Sequence, residues 1–193
     1  WGMNQTKQLG QGDRQLALAN CGSRLDPQPC SNHAAAVELS NVIDLDVGQN
    51  HACAVIRDGL VVCWGNNRNN QSRPGLNADH VPPGLIGGLA NVEQVALGRA
   101  HSCARKTNGD VLCWGANGDG QLGLGGLNMV GDETRPVKTG PGQGQKLTGQ
   151  RYIEAGDHST CSLGPNGTMF CWGSMFLDQN EHSYARLITR LAR

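Results

Sequence analysis

The chain of 193 residues has no excess of either charge: 16 basic side chains are matched by 16 acidic ones. Without a basic patch there is nothing to draw in nucleic acid or an anionic membrane surface, and neither is expected as a partner. No apolar run approaches the roughly 20 residues a membrane-spanning helix needs, so membrane insertion is not expected. Aromatics are scarce, with two Phe, two Tyr and four Trp. Trp1 opens the chain in mid-pattern, without an initiator Met or a signal segment, which reads as a mature or excised piece. Recurrent catalytic chemistry is missing too. No Ser accompanies a repeated His and acid, no glycine-rich phosphate loop opens a helix, and no carboxylate pair stands out, so neither an enzyme nor a cofactor is expected. Asp44, Asp46 and Glu93 fall in strand patterns at unmatched positions, where charged side chains usually face water.

The chain is rich instead in glycine, cysteine and repetition, with 28 Gly and 8 Cys. "HACAVIRDGLVVCWG" (51–65), "HSCARKTNGDVLCWG" (101–115) and "CSLGPNGTMFCWG" (161–173) share two cysteines, a central Asp-Gly or Asn-Gly, and a closing Trp-Gly. Asp-Gly or Asn-Gly between apolar runs is a hairpin signal. A loop of Arg57-Asp58-Gly59, with Gly59 left-handed as a bulge, sets Ile56 opposite Leu60 and Cys53 opposite Cys63. The same register opposes Cys103 to Cys113 around Thr107-Asn108-Gly109, and Cys161 to Cys171 around Pro165-Asn166-Gly167. Opposed Cβ atoms lie about 4.5–5.5 Å apart, near the reach of a disulfide. Three cross-strand disulfides are therefore expected, each contributing at most about 2–3 kcal/mol. Cys21 and Cys30, in "CGSRLDPQPC", form a fourth expected pair, and an even cysteine count favours an oxidising compartment.

The rival readings are zinc and free buried thiols. His51-x-Cys53 and His101-x-Cys103 place His and Cys on one strand face, but the third copy has Ser159 at that position and His158 one residue earlier, on the opposite face. The recurring histidines read better as buried structural groups with partners.

Trp-Gly recurs at Trp1, Trp64, Trp114 and Trp172, and a glutamine follows the first three at Gln8, Gln71 and Gln121. A variable stretch comes next, at 13–38, 72–88 and 126–147. Then "LSNVIDLDVG" (39–48), "LANVEQVALG" (89–98) and "TGQRYIEAG" (148–156) alternate apolar and polar residues into a glycine, as a half-buried strand does. The expected units are 1–63 with a long insertion, 64–113, 114–171, and 172–193 as the remnant of a fourth unit or a C-terminal cap. Repeats of about 50 residues built from short strands suggest β-propeller blades in an all-β chain, with a β-solenoid as the alternative. Trp64, Trp114 and Trp172 are expected between blades. Gly10, Gly48, Gly98, Gly123, Gly125 and Gly156 are read as turn or close-packing positions.

"WGANGDGQLGLG" (114–125), Pro136-Val137, and then "GRAHSCARKTNGDVLCWG" resemble the regulator of chromosome condensation repeat, whose blades form seven-bladed propellers. The resemblance covers nearly all of residues 1–173, and the paired cysteines are similar to its secreted branch. Unit two departs at Gln71-Ser72-Arg73, and the signature ends after Trp172. Three units and a remnant make a partial ring. The chain is thus expected to be a segment of a longer propeller, or to complete its ring or assembly with other blades or chains. The tail "YARLITRLAR" reads as an amphipathic helical cap or as one more strand.

The functional reading is an extracellular, non-enzymatic binding or structural module, secreted or alternatively periplasmic or on the cell surface, with variable loops facing a protein or glycan partner. One alternative is a secreted enzyme inhibitor of the propeller type. The other, implied by the resemblance, is nucleotide exchange on a small GTPase with chromatin binding. Asn4, Asn70 and Asn166 each begin an N-glycosylation acceptor triplet.

Overall fold

The computed structural model describes residues 2–11, 19–23, 26–31, 34, 36–127, 130–140, 144–174 and 182–190. Among the described residues there is no α-helix, and the chain is a succession of antiparallel sheets. The first complete sheet is a four-stranded meander of β4 (Val42–Val47), β5 (His51–Ile56), β6 (Val61–Asn66) and β7 (His80–Leu85). The second is β8 (Val92–Leu97), β9 (His101–Lys106), β10 (Val111–Ala116) and β11 (Val130–Pro136). The third is β12 (Tyr152–Ala155), β13 (Ser159–Leu163), β14 (Thr168–Gly173) and β15 (His182–Arg190). Ahead of them lies a three-stranded sheet, in the order β1 (Gly2–Met3), β3 (Asp26–Ser31), β2 (Ala19–Ser23).

Hairpin register follows from the turns. Gly59 and Gly109 are left-handed, at φ 70° and 81°, and donate back to Ile56 O and Lys106 O. The ladders then oppose Cys53 to Cys63 and Cys103 to Cys113. In the third hairpin Pro165–Gly167 forms a single 3₁₀ turn with Asn166 at φ 58°, and Cys161 opposes Cys171. At Gly109 a Cβ would lie 2.6 Å from both Gln150 N and Gly149 Cα, so glycine is required on two counts.

The sheets stack face to face, and their apolar faces meet between neighbours. Cys53, Val55, Val61 and Cys63 of the first sheet, with Ile86 and Leu89 just beyond its last strand, close on Val92, Val95, Leu97, Ala104 and Trp114 of the second sheet. Cys103, Val111, Cys113, Leu122, Val137 and Leu147 close on Ile153, Trp172 and Ala185 of the third. The second sheet is thus half of two cores, and among the described residues no sheet buries its apolar faces alone.

Three features bear on the expectations. The stretches 72–88 and 126–147 are not only loops, because each contains the outer strand of its sheet, β7 or β11. Outer strands pair along one edge only and so tolerate Pro82 and Pro83, which read as strand breakers in sequence. Over 182–190 the tail takes the strand alternative rather than the helical cap, as β15, which closes the third sheet against β14. Finally, sheets and sequence units are out of phase. The first sheet draws β4, β5 and the start of β6 from residues 1–63, and the rest of β6 with β7 from Trp64 onward, so its outer strand ties one unit to the next.

Candidate binding surface

Each hairpin is fastened at its centre. Cys53–Cys63, Cys103–Cys113 and Cys161–Cys171 are disulfides with S–S distances of 2.06, 2.10 and 2.10 Å, and each Cα pair is 4.1 Å apart. Cys30 is also disulfide-bonded. The Cys21 side chain, and with it the expected Cys21–Cys30 pairing, lies outside the described residues.

The histidines point across the blade boundary. His51 Nε2 lies 2.9 Å from Ser102 Oγ, which donates at 2.8 Å to Gln71 O. His101 Nε2 lies 2.8 Å from Thr160 Oγ1 in the next sheet. Both rings are wholly buried, and burial lowers their pKa from 6.5 to about 3, so they are neutral. With the sulfurs bridged and the imidazoles on hydroxyls, the His-x-Cys positions serve as internal bracing.

The Trp and Gln landmarks meet in the same way. Trp64, Trp114 and Trp172 donate their indole N–H to the backbone carbonyls of Gln8, Gln71 and Gln121, at 3.0, 2.8 and 2.9 Å. Each landmark glutamine therefore belongs to one unit and caps the tryptophan of the next. Asn67 pins the following loop from within: its Oδ1 accepts from Ser72 N and Arg73 N, and its Nδ2 donates to Arg73 O and Leu76 O. Asn117 repeats this, accepting from Leu122 N and donating to Gly126 O.

Asp44 and Asp46 do not simply face water. Asp44 Oδ2 accepts from Val95 N and Asp46 Oδ2 from Leu97 N, both at 2.7 Å, capping the first strand of the second sheet. Gln94 does the same for the third sheet, accepting from Ile153 N and donating to Ile153 O. Glu93 pairs with Arg105 at 2.8 Å. Asp110, unremarked in sequence, binds Lys146 at 2.6 Å, and that ammonium holds its carboxyl below the usual range.

One rim of the stack gathers the turns 48–50, 98–100 and 156–158 with the loops 66–79 and 116–127. It presents Leu76 (40% exposed) and Leu127 (47%) beside the carbonyls that Asn67 and Asn117 hold. Around them lie Arg68 paired with Asp79, and His158 at 2.8 Å from Asp119. Of the glycosylation candidates, Asn166 is exposed at a hairpin tip. Asn4 and Asn70 are half-buried in turns, where Asn4 Oδ1 accepts from Leu9 N.

Face-packed four-stranded antiparallel sheets, repeated in sequence and braced across each boundary, define a β-propeller repeat protein. Two sequence profiles described as "Regulator of chromosome condensation (RCC1) repeat" match it, one at 42–71 and 92–121 and the other at 108–163. Together they span more than half of the chain, which belongs to the RCC1 repeat family. Solved structures with the same fold include human WBSCR16, at 22% identity and TM-score 0.70, covering 97% of this chain and 48% of that one. Prp20p from Saccharomyces cerevisiae, described with its binding to Gsp1p and histones, matches at 20% identity and TM-score 0.71 over 99% of this chain and 46% of its own. Yeast RCC1 (Prp20) with Kap60 bound gives 20% identity and TM-score 0.65, over 98% and 45%. The chain spans about half the length of these structures.

Proposed function

We propose that this chain is an extracellular binding module: a propeller segment, stapled by disulfides, that presents pinned rim loops to a protein partner. The binding reading is carried by Leu76 and Leu127, two exposed aliphatic side chains on loops whose backbones Asn67 and Asn117 hold from inside, Leu76 at the held carbonyl and Leu127 one residue past it. Exposed apolar groups on pre-organised backbone bind without a large ordering cost. Protein recognition by the neighbours fits a protein partner, while a glycan remains the second class to test. The oxidising compartment is supported by a disulfide at the same register of every complete sheet, where a reducing cytosol would keep thiols. Asn166, on an exposed tip, is the proposed acceptor if the chain is glycosylated.

Immobilised protein, offered proteins and glycans from the extracellular medium or surface, is expected to retain a partner that a Leu76→Asp, Leu127→Asp double variant releases. Equal capture by both proteins would remove the rim from the proposal. Intact mass without reductant, on protein from its native source, tests the compartment. Disulfides at 53–63, 103–113 and 161–171 are expected, and free thiols at those positions would defeat it.

A further inference from the structure

The loops after Trp64 and Trp114 run in step: Arg73 to Leu76 match Gly123 to Gly126, and beyond the outer strands Ile86-Gly87 match Val137-Lys138. Their outer edges differ. At the second boundary Lys138 N donates to Gly123 O at 2.8 Å and closes the loop on its strand. The extended start of β15 then lies along it. Gly125 N donates to Ser183 O at 2.6 Å, Leu124 bridges Tyr184, and Ala185 N donates to Lys138 O at 2.7 Å.

The first boundary lacks this filling among the described residues. No bond joins Gly87 N to Arg73 O, and neither Gly75 N nor Gly87 O reaches the neighbouring outer strand β11. A cleft of about 250 Å³ stands there instead, between Arg73, Pro74, Gly75 and Leu76 on one side and residues 85–87 on the other. Two exchanges shape it. Arg73 stands where Gly123 packs against Val137 and Trp172, and Gly84 stands opposite Cys63 where Arg135 stands opposite Cys113. The Arg73 guanidinium takes the space this glycine frees, since a Cβ at Gly84 would lie 2.5 Å from Nη1 and 3.0 Å from Cζ. It is half-buried, and among the described residues no acceptor meets its N–H donors. The loop beside it is fixed, because Asn67 Nδ2 donates to both Arg73 O and Leu76 O.

We propose that this cleft captures an extended acidic segment of a partner protein, added as a short strand in the way Ser183–Ala185 is added at the next boundary. Gly75 N donates to a carbonyl of the segment, and Gly87 O accepts from the amide two residues on. A carboxylate of the segment meets Arg73, and an aliphatic side chain beside it covers Leu76 and Leu85, which are 40% and 52% exposed. Charge decides the class of partner. A guanidinium set beside Pro74, Leu85 and Ile86 without an acceptor is unmatched, and a carboxylate supplies the forked pairing that it lacks. The proposal rests on the rim reading through Leu76, which both share, and gives the chemistry of what binds there.

The probe is a synthetic peptide of residues 183–187 of this chain, blocked at both ends, with Arg186→Glu supplying the carboxylate; it contains the segment that fills the second cleft. Titrated into the isotope-labelled whole chain and followed by amide NMR, it is expected to give saturable shifts at Gly75, Leu76 and Gly87, with a Kd of about 1 mM or tighter. The same peptide with Arg186→Gln should bind the parent chain about tenfold or more weakly. Arg73→Gln in the protein breaks no side-chain bond among the described residues, so that variant should melt with the parent. It should bind the two peptides equally, within about twofold. The proposal is overturned by the absence of saturable shifts, by shifts confined to residues outside the cleft, or by an Arg73→Gln variant that still prefers the glutamate peptide. Leu127→Asp separates it from the rim reading, because that change should leave peptide affinity within about twofold. A peptide that fails to bind while the Leu76→Asp, Leu127→Asp double variant still releases its partner would overturn the cleft and leave the rim standing.

Discussion

His51 and His101 tie stability to pH through their burial. Each pKa falls from 6.5 to about 3 on folding, so between those values the unfolded chain binds a proton that the folded one excludes. Stability is then complete above about pH 6.5 and is lost as pH falls toward 3, by at most about 1.4 kcal/mol per pH unit for each ring. Urea midpoints measured on either side of pH 6.5 should show this, and His101→Gln should flatten the acid-side slope by about half; an unchanged slope would mean that other groups set it. Gly109 and Asp110 offer a second contrast between adjacent residues. Gly109→Val places a branched side chain at φ 81° and drives its Cβ toward Gln150 N, at an expected cost of about 2–3 kcal/mol or more. Asp110→Asn removes the charge facing Lys146, whose side chain is 48% exposed, and should cost under about 1 kcal/mol. Equal thermal shifts for the two would mean the turn does not need its left-handed residue.

At the scale of the strand, side chains that cap a neighbour's backbone matter more than their exposure suggests. Asp44→Ala together with Asp46→Ala leaves Val95 N and Leu97 N without acceptors at the first boundary, a loss of about 1–3 kcal/mol for each amide. Asn at both positions keeps an acceptor and should recover most of it, while Asp58→Ala on an exposed tip should cost little. Denaturation midpoints for the three variants check the order, and a double alanine no worse than Asp58→Ala would exclude capping. Such caps were not legible in the chain, because the capping residue is an aspartate at 44 and 46 but a glutamine at 94, and only the neighbouring sheet gives them a common task. The hairpins were legible, since Asp-Gly and Asn-Gly turns set the register by which the cysteines face each other. The outer strands were not, because a strand paired along one edge tolerates Pro82-Pro83 and the long charged run of β11. The partners of the histidines leave a trace that only an offset comparison finds. "HAC", "HSC" and "STC" put a hydroxyl, Ser102 or Thr160, in the unit after each histidine, and alanine at 52.

For the whole molecule, bracing between sheets runs from neighbour to neighbour among the described residues. His51 reaches Ser102, Gln94 reaches Ile153 and Trp172 reaches Gln121, and each of these bonds crosses a single boundary. In such a linear array, stability is the sum of unit terms and boundary terms, so a unit with two boundaries resists opening more than a unit with one. The second sheet is covered on both faces, with Cys103, Ala104, Val111, Cys113 and Trp114 all inaccessible. The third sheet leaves Tyr152 at 46% and Leu163 at 43% exposed on its far face, and the first leaves its β4 face open. Amide hydrogen exchange should therefore be slowest in β9 and β10, faster in β13 and β14, and fastest in β4, even though every hairpin carries the same disulfide. Reduction should reach Cys161–Cys171 before Cys103–Cys113, because Cys161 is only half-buried while Cys103 and Cys113 are sealed by their neighbours. Uniform protection across the three sheets, or simultaneous reduction of the three bonds, would mean that the chain opens as one unit and that its boundaries are stronger than its ends.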